Sequence, residues 1–69
     1  MTLTKRQADV REAITLLTNG FGYAPTLREL CAFLSIKSTN GLAEHLERMR
    51  AKGVVDWEDG KARTLRVLG

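Results

Sequence analysis

A mainly α-helical domain of three helices closed by a small β-hairpin is predicted by three features of this 69-residue chain. Two capping signals, Thr4 to Gln7 and Thr26 to Glu29, each open a segment whose apolar residues recur at helical spacing. A third such segment follows the short turn "SIKS", and beyond Gly53 the apolar period drops from 3.6 to 2.

Helix 1 is expected over residues 5–18. The Thr4 hydroxyl and the Gln7 amide can satisfy free backbone N–H groups reciprocally, and Ala8, Val10, Ala13, Ile14 and Leu17 form the apolar stripe. Asn19-Gly20 is read as its left-handed stop. The connection "GFGYAP" cannot continue a helix. Helix 2 is expected over 27–34, directly after Pro25 and the Thr26–Glu29 box, with Leu27, Leu30, Cys31, Phe33 and Leu34 apolar on most of one side. Ile36 is read as the core plug of the turn. Helix 3 should run from Thr39 to Lys52 behind a Ser38 cap and stop at Gly53, with Leu42, Leu46 and Met49 facing inward. "VVDWE" and "KARTLRVL" around Asp59-Gly60 then read as a hairpin. With those two residues alone as its loop, Glu58 faces Lys61 and Asp56 faces Arg63.

A chain this short forms one domain, residues 1–69, with one core that removes only about 60% of the unfolded surface from water. Composition, at 43% hydrophobic and 28% charged with a single Pro, is that of a globular domain. No apolar run approaches the roughly 20 residues of a membrane span, and "MTLTKRQADV" lacks the apolar stretch of a signal peptide, so no membrane association and a cytoplasmic location are expected. The single Cys31 excludes an intrachain disulfide, and with His45 it supplies too few ligands for structural zinc. No cofactor or metal is expected. Nor is catalysis, because no nucleophile-and-base constellation occurs and a domain of this size leaves little room for a pocket.

The net charge of +3 is concentrated near the carboxy-terminal end. Residues 48–66 hold Arg48, Arg50, Lys52, Lys61, Arg63 and Arg66 against Asp56, Glu58 and Asp59, an excess equal to the whole net charge. Three helices and a hairpin, with a tight turn between helices 2 and 3, is the element order of a winged helix-turn-helix. In that arrangement the third helix enters the DNA major groove and the hairpin lies beside the backbone. The front of helix 3 fits this task. Ser38 can cap the helix or donate to phosphate, Asn40 can bind an adenine edge in bidentate fashion, and Glu44 can accept from a cytosine amino group. Gly41 and Ala43 add no bulk and allow close approach to base edges or a thymine methyl. For the backbone the candidates are Arg28, Lys37, Thr39, Arg48, Lys61 and Arg63, and about half of the carboxy-terminal bases are expected to touch phosphate.

The segments "LTKRQADV", "GYAPTLRELCAFL", "KSTNGLAEHLERMRAKGVV" and "TLRVL" together resemble the amino-terminal DNA-binding domain of the LexA repressor family, in order, from about Leu3 to Leu68. The resemblance implies a bacterial or phage-encoded winged-helix repressor that acts on palindromic operators of DNA-damage (SOS response) genes. It implies base reading through Ser38, Asn40, Gly41, Ala43 and Glu44, and a wing, Asp59 to Lys61, near the backbone. Family members continue into a carboxy-terminal domain that supplies dimerisation and self-cleavage, and self-cleavage is not assigned to these residues. Gly41-Leu42-Ala43 departs from familiar forms of the family, so no operator sequence is carried over. A homodimer on double-stranded DNA is the expected partner arrangement.

Other readings stand beside these. His45 and Cys31 are read as packing residues, and Trp57 and Tyr23 as core or boundary residues, with stacking or anchoring of the wing as the alternative. "GFG" lacks the strand context and third glycine of a phosphate loop. Winged helices also serve as protein-interaction modules, so a protein that docks on a repressor or polymerase through the same helix is the alternative.

Overall fold

The computed structural model describes residues 3–68. Its elements are α1 (Lys5–Phe21), α2 (Leu27–Leu34), α3 (Thr39–Ala51), β1 (Val55–Asp56) and β2 (Arg66–Val67), which is the order of a winged helix-turn-helix. Both expected capping boxes are formed. Thr4 Oγ1 accepts the Gln7 N–H at 3.1 Å while Gln7 Oε1 accepts the Thr4 N–H at 3.3 Å. At α2, Thr26 Oγ1 accepts from Glu29 N at 3.2 Å and Glu29 Oε1 from Thr26 N at 2.8 Å.

The core collects one face from every element. Val10, Ala13 and Ile14 of α1 meet Leu30 and Cys31 of α2, Leu42, Leu46 and Met49 of α3, and Val55 and Leu65 of the hairpin. Pro25, just ahead of α2, is also fully buried. Ile36 packs against this core between α2 and α3, as the turn reading expects. Ser35 closes α2 in the left-handed region at φ 58°, and the Ile36 N–H returns to the Cys31 carbonyl at 2.9 Å. That closure turns the chain from α2 into α3.

Several expectations are corrected. Asn19-Gly20 does not stop α1, which runs on to Phe21 and is capped by Gly22 at φ 81°, with its N–H on the Thr18 carbonyl at 2.8 Å. The two glycines compete for the same role, and the stacking of Phe21 on Tyr23, ring centroids 5.4 Å apart, accompanies the later one. Ala8 is exposed, and Gln7 takes a buried place on α1 instead. Leu27 and Phe33, taken for the apolar side of α2, are 39% and 51% exposed.

The hairpin is wider than expected. Val55 pairs with Val67 and Asp56 with Arg66, so Asp56 faces Arg66 and not Arg63. Asp59-Gly60 does form a tight turn, with the Lys61 N–H on the Glu58 carbonyl at 3.2 Å, but only Gly60 of the pair has a positive φ, 78°. A two-residue hairpin of the Asp-Gly type needs both central residues there for its twist to match that of the strands. The ladder therefore does not continue into this turn. Thr64 stitches the loop instead: its Oγ1 accepts the Glu58 N–H at 2.9 Å and lies 3.2 Å from the Lys61 carbonyl.

Candidate nucleic-acid interface

The stripe of Leu42, Leu46 and Met49, each at most 3% exposed, fixes the rotation of α3. With 100° between residues, the opposite face must then carry Asn40, Glu44, Glu47 and Arg48, and all four are exposed. Ser38 and Thr39 are exposed ahead of them, and Gly41 and Ala43 are half-buried at the flanks. The five residues expected to read bases thus share the front of one helix. Arg28, Lys37 and Lys61 are exposed as well, so these backbone candidates are open to solvent.

The start of α3 differs from the starts of α1 and α2. Ser38 Oγ accepts the Gly41 N–H at 3.4 Å, but Gly41 has no side chain to return the bond, so no box forms. The first N–H groups of the helix keep no intrahelical partner, as at any helix start. An ideal Cβ at Gly41 meets nothing within 4 Å, and the residue lies in ordinary helical conformation. Neither space nor backbone geometry inside the domain calls for glycine there.

Two arginines named among the phosphate candidates or surface bases make contacts within the protein, though the Arg63 side chain stays 41% exposed. Arg50 Nε donates to Asp56 Oδ1 at 2.9 Å, Nη2 to the Trp57 carbonyl at 2.9 Å and Nη1 to Asp59 Oδ1 at 3.3 Å, while its guanidinium lies 4.2 Å from the centre of a Trp57 ring. This ties the end of α3 to the base of the wing. The Trp57 backbone N–H, then Arg50, hold the Asp56 carboxyl below its usual range. Arg63, a backbone candidate, donates to Glu29 and to the Ala24 carbonyl and stacks on Tyr23. Tyr23 is 52% exposed, which corrects its placement in the core or boundary and supports its part as a wing anchor. Lys61 keeps only a 4.0 Å approach to Glu58 with both side chains well exposed, a pair that solvent screens strongly.

Sequence reasoning missed the long-range ties. Lys52 Nζ donates to the buried Gln7 Oε1 at 2.8 Å, and the Arg63–Glu29 pair spans 34 residues. It also missed a cleft of about 530 Å³, larger than so short a chain was expected to allow. Its walls are the start of α2, Pro25 to Arg28, and the wing segment Lys61 to Leu65, with Ala43, Leu46 and Glu47 of α3 between them. Among the described residues no three His, Cys, Asp or Glu side chains gather as a metal site, and no helix is long and apolar enough to cross a membrane. Cys31 is buried, its Sγ 3.9 Å from the Ser38 carbonyl.

A short turn between two packed helices, an exposed polar face on the second of them and a hairpin beside it define a winged helix-turn-helix of the nucleic-acid-binding kind. A family model described as the LexA DNA binding domain matches residues 1–64. The chain belongs to the LexA DNA-binding domain family. It is 41% identical over 68 residues to "LexA repressor 2" of Geobacter sulfurreducens, covering 99% of this chain and 34% of that protein. The "LexA repressor" of Sorangium cellulosum is 45% identical over 64 residues, 93% of this chain and 28% of its own length. "Transcription regulator LexA" of Synechocystis is 38% identical over 66 residues, 96% of this chain and 32% of its own length. The chain thus spans about a third of the length of these relatives.

Proposed function

We propose that this domain binds double-stranded DNA in a sequence-specific manner as part of a LexA-like transcriptional repressor, with the front of α3 in the major groove and the wing along the backbone. The observation that carries this reading is the outward face at the start of α3. Ser38, Asn40, Gly41, Ala43 and Glu44 are small or hydrogen-bonding, lie away from the core stripe, and include a glycine for which the domain itself has no use. Asn40 offers the donor and acceptor that fit an adenine edge, and Glu44 an acceptor for cytosine N4. Arg28, Lys37, Thr39, Arg48 and Lys61 then supply the phosphate contacts that fix register. One helix in one groove segment gives modest discrimination, so two copies on a palindromic operator complete the site.

Selection from a random duplex pool, with the domain alone and joined to a dimerising coiled coil, tests this. Enrichment of a palindrome is expected with the dimerised form. Failure of the dimerised form to enrich any sequence would remove the reading.

A further inference from the structure

We propose that Arg63 and Glu29 form a clasp that holds the wing against the start of α2, which makes Arg63 a positioning residue for DNA binding and not a phosphate contact. The inference rests on the DNA-binding reading above and concerns how the two flanks of that surface are held in register.

Four contacts converge on the Arg63 guanidinium. Nη1 donates to Glu29 Oε1 at 3.0 Å and to the Ala24 carbonyl at 3.1 Å, and Nη2 donates to Glu29 Oε2 at 3.3 Å. Its central carbon lies over the Tyr23 ring, 4.6 Å from the ring centre. A planar fork that grips both oxygens of one carboxylate has a defined direction as well as a defined length. Glu29 is equally committed, because the same Oε1 closes the α2 capping box through the Thr26 N–H. The wing is therefore fastened to the backbone cap of a helix and not to a loose surface acid.

Arg63 has φ 58°, a left-handed conformation uncommon for a residue with a side chain, at the point where the wing turns toward α2. Arg63 belongs to the wing wall of the cleft, and its guanidinium reaches Glu29 of α2, next in sequence to the opposite wall. Those walls carry Arg28 on one side and Lys61 on the other. A clasp that ties the wing to α2 sets the separation of two cations that flank the base-reading helix. Delivering Arg63 to a phosphate would break its hydrogen bonds to Glu29 and Ala24 and lift it from Tyr23, while removing the restraint on Lys61.

The two roles give opposite signs for a change at Glu29. Glu29→Gln keeps an oxygen for the Thr26 N–H, since glutamine serves at this position of a capping box, but removes the charge that grips Arg63. Affinity of the 69-residue chain for a fluorescein-labelled random-sequence duplex pool at low salt is measured for Glu29→Gln, Arg63→Gln, their combination, and the charge-neutral Tyr23→Leu. The clasp predicts weakening of about threefold to tenfold for each single variant, with the double variant no worse than Arg63→Gln alone, as for two residues that act as one unit. Tighter binding by Glu29→Gln together with unaltered binding by Tyr23→Leu would mean that Arg63 had been released to phosphate, and would overturn the proposal. Amide exchange on the free protein gives a reading independent of DNA. The Glu58 and Lys61 amides, hydrogen-bonded inside the wing, should exchange faster in Glu29→Gln while those of Leu46 and Met49 keep their protection. If the parent chain binds no duplex, the DNA-binding reading fails by itself, and unaltered Glu58 and Lys61 exchange would separately refute the clasp.

Discussion

Asp56 joins the end of α3 to both strands of the wing: one carboxylate oxygen takes Arg50 Nε at 2.9 Å, and the other takes Arg66 Nη2 at 3.2 Å across the ladder. Backbone N–H donation from Trp57, then the Arg50 side chain, lower its pKa, and the Thr26 N–H, then Arg63, do the same for Glu29. A carboxylate whose folded-state pKa is depressed contributes stability above its unfolded value, and that contribution is lost as pH falls through the folded value. Stability should therefore be level from neutrality down to about pH 5 and decline below about pH 4.5, where ordinary carboxylates begin to protonate. Urea denaturation of the parent and of Asp56→Asn across this range checks it. The gap between the two should be widest at pH 7 and close toward pH 2, and a gap that widens on acidification would contradict the assignment.

Gly41 separates folding from function. Replacing it with alanine adds a Cβ in open space on a helix, so thermal stability should rise by up to about 1 kcal/mol. The same methyl stands on the face proposed to approach base edges, so binding to a selected duplex should weaken. A variant that is both more stable and equally tight would show that the smallness of Gly41 serves no partner.

Leu42 is the inward counterpart of that face, with no exposed surface. Truncation in Leu42→Ala leaves a cavity among residues of all three helices and should cost about 2–5 kcal/mol. In a domain this small that corresponds to a fall in Tm of about 10 °C or more, read by circular dichroism. A loss below 1 kcal/mol would mean that α3 does not seat on this stripe.

Local signals made the helix starts legible. Thr4 with Gln7, Thr26 with Glu29 and Ser38 each act within one turn, so their chemistry is complete in a few adjacent residues. The outward face of α3 was legible for the same reason, since Leu42, Leu46 and Met49 fix the rotation of everything between them. The end of α1 was not, because Gly20 and Gly22 are equivalent as local stops and the choice goes with a contact between Phe21 and Tyr23. The wing register failed at one dihedral: Asp59 keeps a negative φ, so the expected tight hairpin cannot form. The ties of Arg50 and Arg63 were not legible. The tight-hairpin register sets Arg63 opposite Asp56, whereas its carboxylate partner Glu29 lies 34 residues away. Arg50 meets Asp56 and Asp59 only where the wing folds back on the end of α3.

Lys61 separates backbone contact from base reading on the wing. Its side chain is 71% exposed and only loosely approached by Glu58. Lys61→Ala should weaken selected and scrambled duplexes alike and reduce the slope of log affinity against log salt by about one per bound copy. An unaltered slope would place Lys61 off the phosphates.

Asn40 tests the central claim most directly. Fluorescence anisotropy at moderate salt, with the dimerised domain on the duplex recovered by selection and on a scrambled duplex of equal composition, compares the parent with Asn40→Ala. The account predicts a loss of about 1–3 kcal/mol on the selected duplex and little change on the scrambled one, with a relaxed preference at one base pair of each half-site. An equal loss on both duplexes would contradict base reading by the front of α3.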